Sequence, residues 1–195
     1  MRALIVFNGN RESVIGSEVM NAVTSTLDRN GHHIDIIDLL DSSFEPVMTS
    51  AERRAYMTDN PISDPIVQYY AALVSQAELL IFVYRSHLTT IPASIKGWLE
   101  KVMVPGVAFH FDAAGKVRPS LTQVRRIIGI TAYNDGWFAV RRQFDAGRRT
   151  ITRALRLNTG WRTRTQWIGL YNALSATSEQ RAAFLSRVEH QLEQL

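Results

Sequence analysis

Short apolar runs alternate along the chain with longer segments in which apolar residues recur every three or four positions. The short runs predict five strands, at residues 4–7, 33–38, 79–84, 126–131 and 166–171. The first and third runs are apolar throughout, as expected for strands that are covered on both faces. This alternation predicts an α/β protein with a doubly wound, five-stranded parallel sheet and helices on both faces. A chain of 195 residues has the length of one domain, so we expect a single domain over residues 1–195.

Helix signals fall between the predicted strands. The apolar stripe over residues 15–27 ends at Asn30-Gly31, and Asp64-Pro65 supplies an N-cap and a first-turn proline for a later helix. Pro92 opens another helix. Thr177 and Gln180 form a capping box ahead of the last one. Each of these signals predicts where a helix begins or ends.

Three segments depart from the simple alternation. Residues 107–118 predict a small hairpin insertion, and residues 39–61 form a long excursion with a helix around 51–57. A long helical region rich in arginine follows the fourth strand. Eight arginines lie between Arg141 and Arg164 against the single acid Asp145, although the whole chain carries a net charge of only +4.

Composition excludes several kinds of chemistry. The chain has no cysteine, so disulfides, thiolate catalysis and cysteine-ligated metal sites are excluded, and we expect no metal. The apolar run at the N-terminus is too short for a signal peptide, and no run reaches the length of a membrane span. We therefore expect a cytoplasmic protein without a membrane span.

In an open α/β sheet, ligands bind outside the carboxyl ends of the strands, where the strand order reverses. We expect the loops at residues 8–13, 85–91 and 132–136 to meet there. The first loop precedes a helix, so its N–H groups and the helix dipole suit a phosphate, although an ordinary turn with Ser13 as N-cap explains the same residues. The loop matches neither G-x-G-x-x-G nor the P-loop, which disfavours a dinucleotide fold or an NTPase.

The third-strand loop and the helix behind it carry a family resemblance. Residues 84–102 read YRSHLTTIPASIKGWLEKV, with Pro92-Ala93 followed by Lys96-Gly97-Trp98. This stretch resembles the P-A-x-L-K-G-W motif of the flavodoxin-like NAD(P)H dehydrogenases (quinone). Residues 38–56 and 105–109 resemble further stretches of that family, and the similarity covers roughly residues 1–136.

The resemblance implies a flavodoxin-like fold, a bound flavin (FMN or FAD, with FMN favoured), NAD(P)H as electron donor and a quinone-like acceptor that is reduced in a ping-pong scheme. It also implies a homodimer, with the helix at 92–102 and the excursion at 39–61 at the interface. The residues expected at the cofactor are Asn8, Asn10, Arg11, Ser13, Val14, Ile15, Arg85, Ser86, His87, Leu88, Ile91, Thr131, Ala132, Tyr133, Asn134 and Gly136. His87 and Tyr133 are the candidates for a catalytic role; for His87 a purely structural hydrogen bond to a nearby carbonyl is the alternative.

The chain departs from the family pattern at each of the three loops. Asn8-Gly9 replaces His-Pro, Arg85 to Leu88 replace a proline and aromatics, and Thr131-Ala132-Tyr133-Asn134 replaces Thr-Thr-Gly-Gly. We expect Tyr133 to lie beside the flavin ring and narrow the site. These departures also support an alternative hypothesis, a binding or regulatory subunit of the same fold that has lost its redox activity.

The arginine-rich segment has two interpretations. Arg141, Arg142, Arg148 or Arg149 could bind the 2′-phosphate of NADPH, since a guanidinium group suits a phosphate. The other interpretation, a solvated helix face, is the simpler one. Nucleic acid is not expected as a partner, because no nucleic-acid-binding motif accompanies the charge.

Overall fold

The structure, a computed structural model, describes residues 1–9, 14–40 and 43–195, with the side chains of Val14 and Ile15 left out. Its elements in chain order are β1 (Arg2–Asn8), α1 (Val14–Arg29), β2 (His33–Asp38), α2 (Ser50–Ala55), α3 (Pro65–Gln76), β3 (Leu79–Arg85), α4 (Ala93–Val102), β4 (Phe109–Phe111), β5 (Val117–Pro119), β6 (Arg126–Ala132), α5 (Trp137–Arg142), α6 (Ala146–Arg149), a π-helical segment (Thr150–Ala154), α7 (Arg156–Thr159), β7 (Arg164–Leu170) and α8 (Ser178–Glu193).

The main sheet has the strand order β2-β1-β3-β6-β7, and every pairing in it is parallel. The predicted five-stranded, doubly wound sheet is therefore confirmed. β4 and β5 pair antiparallel and form a separate two-stranded sheet, as the hairpin prediction requires. Asp112 shapes the turn between them, because its carboxylate accepts hydrogen bonds from the Ala114 and Lys116 N–H groups.

Each face of the sheet is covered by its own hydrophobic core. One core lies under α1 and α8 and includes Ile5, Ile81, Val23 and Val188. The other lies under α3 and α4 and includes Trp98, which is fully buried with its ring edge-on to Phe82. The central strands contribute alternate side chains to the two cores, so their uninterrupted apolar runs follow from burial on both faces.

The predicted caps are present. The Asp64 side chain accepts a hydrogen bond from the Ile66 N–H group at the start of α3, and Thr177 and Gln180 form the capping box of α8. α1 and α8 have 16 residues each, and within the described ranges no helix has both the length and the apolar character needed to span a bilayer.

The arginine-rich region differs from the long helical region expected, because it is broken into α5, α6, the π-helical segment and α7. The first break falls at Phe144 and Asp145, which have positive φ values of 62° and 41°. Left-handed backbone at two successive non-glycine residues cannot continue a right-handed helix. The sequence holds no glycine or proline at this break to signal it.

A buried ion pair fastens the excursion after β2 onto α4. The Lys101 side chain is 3% exposed; its Nζ lies 2.8 Å from the Glu52 carboxylate and donates a 3.0 Å hydrogen bond to the Glu45 carbonyl. Burial alone would raise the pKa of Glu52, but the hydrogen bonds from Lys101 and Thr49 outweigh it and hold the pKa below its usual value. Gly97 is also required here, since a Cβ on it would lie 2.1 Å from the Pro46 carbonyl oxygen.

Replacing Lys101 with Met should lower the free energy of unfolding by about 2–3 kcal/mol, because it leaves the Glu52 carboxylate and the Glu45 carbonyl without their buried partner. Urea denaturation followed by circular dichroism measures the change. Lys96→Met is the matched control: Lys96 pairs with Glu100 on the exposed face of the same helix, so its loss should cost less than about 0.5 kcal/mol.

The ion pair should also make stability depend on pH. Because the pKa of Glu52 is lowered, the stabilisation from its carboxylate is present above its ordinary pKa and is lost as the pH falls through the folded-state value, so the effect of Lys101→Met should shrink in acid. Equal losses for the two lysines, or an effect independent of pH, would contradict this assignment.

Candidate functional site

The strand order reverses at β1, because β2 lies on one side of it and β3 on the other. The carboxyl ends of β1, β3 and β6 meet at this point. In open α/β sheets, the crevice outside such a reversal is where ligands bind. The loops that follow these three strands are therefore the walls of the candidate site.

A cavity of about 440 Å³ lies at these strand ends, between α1 and α8. Most of its lining is apolar, from Phe7, Val19, Val83, Ile130, Ala173 and Phe184. Gly9 and Gly16 line it near the β1–α1 connection. An apolar cavity of this volume with few polar groups has the character of a small-molecule site.

Two buried polar atoms at this cavity have no hydrogen-bond partner among the described residues. They are the Thr131 hydroxyl and Nε of Arg181, and both residues line the cavity. Buried polar groups are normally paired, and an unpaired one costs free energy comparable to a lost hydrogen bond. The wall of the cavity therefore includes two residues with unpaired donors among the described parts of the chain.

The third-strand and fourth-strand loops are tied to each other across this edge. The Arg85 guanidinium donates a 2.6 Å hydrogen bond to the Asn134 side-chain oxygen, and the Ser86 N–H group donates to the Ala132 carbonyl at 2.9 Å. Arg85, Thr131 and Ala132 line the cavity. The structure thus brings residues from two of the predicted loops together, with Asn134 at the rim holding Arg85.

The rest of the third-strand loop is a tight turn. His87 and Thr90 exchange both backbone hydrogen bonds, and Leu88 and Thr89 between them have positive φ values of 46° and 57°. Leu88 is 95% exposed at the tip. The His87 ring is exposed and has no hydrogen-bond partner among the described residues. The hydrogen bond to a nearby carbonyl, which was the structural alternative for this ring, is therefore not seen there. Ile91 was expected at the cofactor, but its side chain is buried in the core with α3 and α4, because apolar burial outweighs exposure to the site.

The first loop is described only at its edges. Asn10, Arg11 and Ser13 lie outside the described residues, and so do the side chains of Val14 and Ile15. The Asn8 amide donates a 2.6 Å hydrogen bond to the Ser94 hydroxyl, which joins the end of β1 to α4. Gly136 is the N-cap of α5, and a Cβ added to it would lie 3.3 Å from the Asn172 side-chain oxygen.

Tyr133 does not lie where the sequence predicts it. Its side chain is 2% exposed and is turned into the protein, and it is not part of the cavity lining. The ring stacks on Tyr171 with centroids 5.0 Å apart. The Tyr133 hydroxyl donates to the Asp145 carboxylate at 2.8 Å and accepts from the Trp167 indole N–H at 3.1 Å. Gly169 leaves room for this ring, since a Cβ there would lie 3.2 Å from it.

The expectation that Tyr133 narrows the site, and its candidacy as a catalytic residue, are therefore wrong. Burial of the Tyr133 ring against Tyr171, together with the hydrogen bond to Asp145, stabilises the inward orientation more than a contact at the open edge of the sheet would. Burial and then the Asp145 carboxylate raise the pKa of Tyr133 far above its usual range, so the phenol stays protonated and supports the loop.

Several cavity residues were missed by the sequence reasoning, notably Leu174, Arg181 and Phe184. They come from the loop after β7 and from α8. The loop after the fifth strand opens at the same edge of a parallel sheet as the other three. Counting it as a fourth wall would have pointed to Leu174, although the inward direction of Arg181 depends on how α8 packs.

A doubly wound parallel sheet with a ligand-sized cavity at its strand reversal defines a flavodoxin-like α/β protein. The chain belongs to the family described as "Flavodoxin-like fold", whose pattern matches residues 1–192. The resemblance to flavodoxin-like quinone dehydrogenases is confirmed by a curated relative, NAD(P)H dehydrogenase (quinone) 1 of Cavia porcellus. It is 24% identical over 127 aligned positions, and the alignment covers 57% of this chain and 46% of that protein. The chain thus spans about half the length of this relative.

Solved structures agree on the fold. An NAD(P)H:quinone oxidoreductase from Methanothermobacter marburgensis superposes with a TM-score of 0.83 at 16% identity, over 99% of this chain and 98% of that chain. An FMN-dependent NADH-azoreductase from Bacillus anthracis str. Ames Ancestor, in complex with FMN, superposes with a TM-score of 0.77 at 15% identity, over 100% of this chain and 99% of that one. At these identities the likeness establishes the fold.

Replacing Tyr133 with Phe should lower the free energy of unfolding by about 1–3 kcal/mol, because the buried Asp145 carboxylate loses one of its hydrogen bonds and the Trp167 indole loses its acceptor. Chemical denaturation measures the loss. Tyr69→Phe is the matched control, since Tyr69 is exposed on α3, and this variant should be unchanged within about 0.5 kcal/mol. Tyr133→Phe with wild-type stability would mean that this hydroxyl does not anchor the loop.

Proposed function

We propose that this protein is a flavin-dependent NAD(P)H oxidoreductase that reduces quinones or similar aromatic acceptors. The observation that carries the proposal is the apolar cavity at the strand reversal, where the Thr131 hydroxyl and Arg181 Nε of the wall have no partner among the described residues. The names of the relatives give the reaction class. They include a quinone dehydrogenase, a quinone oxidoreductase and an FMN-dependent azoreductase.

The residues present fit a flavin. The cavity offers apolar walls for a flat ring system, and Arg85 and Arg181 place positive charge at two sides of it. Gly9 leaves room for the Phe7 ring, from which a Cβ would lie 2.7 Å, and the start of α1 offers N–H groups and a positive dipole end to a phosphate. A bound flavin would supply the hydride-transfer chemistry, while the protein binds, orients and tunes it.

In this proposal NAD(P)H and the acceptor use one face of the site in turn, which gives ping-pong kinetics. The protein's part is to exclude water with its apolar lining and to hold positive charge near the reduced cofactor. No general acid or base is required. His87 remains the candidate for contact with the acceptor, because its ring is exposed on the turn beside Leu88.

We also propose that the protein is a homodimer. The proposed interface is formed by the exposed side of α4 and by the excursion at residues 39–61, together with the outer side of α3. Val47, Met57 and Tyr69 are large apolar residues exposed there. Their exposure supports a partner surface on this side of the molecule.

The proposed function predicts that the purified protein binds FMN or FAD stoichiometrically, with a visible flavin spectrum, and oxidises NAD(P)H when a quinone is supplied. Titration with each flavin decides between them. Failure to bind either flavin would overturn the proposal. Flavin binding without NAD(P)H oxidation would favour the alternative, a binding or regulatory subunit.

Replacing Arg181 with Gln should weaken flavin binding about tenfold, because a buried charged donor at the cavity wall is lost. Fluorescence titration of the variant against wild type measures this. Arg29→Gln is the control, with the same change of charge at the far end of α1. If both variants bind flavin equally well, the cavity between α1 and α8 is not the cofactor site.

The double variant Val47→Glu/Met57→Glu should convert a wild-type dimer to a monomer, because it places charge in an apolar interface. Light scattering at micromolar concentration gives the mass. Leu157→Glu is the control, since Leu157 is an exposed leucine of α7, outside the proposed interface. A wild-type monomer that binds flavin and is fully active would contradict the dimer.

A further inference from the structure

A second cavity, of about 560 Å³, lies beside β7 and is lined by α5, α6 and the π-helical segment. Trp167 on β7 and Ile151 on the π-helical segment belong to the core under α3 and α4, whereas the first cavity lies under α1 and α8. The two cavities share no lining residue among the described parts of the chain. The second cavity is therefore a separate site on the opposite face of the sheet.

Arginine dominates the charged lining of this second cavity. Five of these side chains line it, Arg141, Arg148, Arg149, Arg153 and Arg156. Among the described residues, Asp145 is the one carboxylate in the lining, and it already accepts hydrogen bonds from the Tyr133 hydroxyl and the Arg148 N–H group. No ion pair to any of the five guanidinium groups is found within the described ranges.

Aromatic rings hold three of these guanidinium groups in place. Arg141 lies over the Trp137 ring, Arg149 over the Phe144 ring and Arg156 over the Trp161 ring, each within 5.5 Å of the ring centroid. A guanidinium stacked on a ring keeps its N–H edges available for an acceptor. The stacking thus fixes the cations without neutralising them.

One of the cations also has a buried, unsatisfied donor. Nε of Arg156 is buried and lacks a hydrogen-bond partner among the described residues, although another nitrogen of the same group donates to the Trp161 carbonyl at 2.6 Å. An ordinary solvated helix face would leave its arginine donors in water. Nε of Arg156 is instead shielded from water, on a residue that lines this cavity together with four other arginines.

We propose that this second cavity binds an organic phosphate carrying more than one negative charge. Arginine is suited to phosphate because its planar fork can donate two parallel hydrogen bonds, and several such groups around one cavity favour a dianion or a polyphosphate over a single carboxylate. The exposed Trp137 and Phe144 rings offer apolar contact to the organic part of the ligand. A cavity of this volume accommodates a molecule of nucleotide size.

The first experiment uses inorganic pyrophosphate as the probe, titrated by calorimetry at physiological salt so that diffuse surface charge is screened. Wild type should bind it. Arg149→Gln and Arg153→Gln should each weaken binding about tenfold, because each removes a charged donor. Both side chains are exposed at the cavity, so neither change should impair folding, which circular dichroism checks.

Arg142→Gln is the matched control. Arg142 is an exposed arginine of the same segment that does not line the cavity. The affinity of the Arg142→Gln protein for pyrophosphate should therefore stay within about twofold of wild type. The proposal is overturned if wild type shows no pyrophosphate binding, or if Arg142→Gln weakens binding as much as Arg149→Gln does. Because this assay involves neither flavin nor turnover, its failure is distinguishable from failure of the proposed oxidoreductase function.

A competition experiment separates two sources of the phosphate. Adenosine 2′,5′-bisphosphate carries the 2′-phosphate of NADPH, and 5′-AMP lacks it. In one outcome, only the bisphosphate displaces pyrophosphate, and Arg149→Gln raises the KM for NADPH but not for NADH. This outcome would indicate that the second cavity binds the 2′-phosphate of NADPH. Displacement by both adenosine phosphates alike, with both KM values unchanged, would support a separate ligand of the same chemistry.

Discussion

β1 and β3 lie side by side at the centre of the sheet, paired in parallel from Ala3 with Leu79 to Asn8 with Tyr84. Both strands are buried along almost their whole length, and each feeds side chains to both cores. Because β2 lies on the outer side of β1, this pairing is also where the chain reverses its direction of winding. The helices on the two faces diverge at that line, which leaves the crevice that becomes the apolar cavity.

A second interaction lies between the apolar cavity and the arginine-lined cavity. Asp145, in left-handed backbone, holds the Tyr133 hydroxyl, and Trp167 donates to the same hydroxyl from β7. Tyr133 follows β6 directly, so this network fixes the course of the fourth-strand loop past the apolar cavity. The same carboxylate lies in the wall of the arginine-lined cavity. One buried network thus supports both sites from behind while contributing no reactive group to either.

The arginine-rich segment shows how composition can mislead about a site. Counted along the sequence, its charges suit a solvated helix face. In the structure the segment breaks at Phe144 and Asp145, and the break turns five guanidinium groups toward one cavity. Asp145 is a residue type that favours the N-cap position, but the sequence alone does not fix its left-handed backbone, and in the structure its carboxylate also accepts a hydrogen bond from the Tyr133 hydroxyl.

The sequence by itself determined the five parallel strands, the hairpin, the caps at Asp64 and Thr177 and the edge of the sheet where a ligand would bind. These follow from hydrophobic periodicity and local hydrogen bonding, which act over a few residues. It also pointed to Arg85, Thr131 and Ala132, which lie at the ends of strands beside the reversal and line the apolar cavity. Only the tertiary structure decided that Tyr133 and Ile91 turn inward, that Arg181 reaches the cavity and that the arginines converge. The direction of a side chain beyond a strand end depends on which distant elements offer burial or a partner, and that competition is settled by packing across the whole fold.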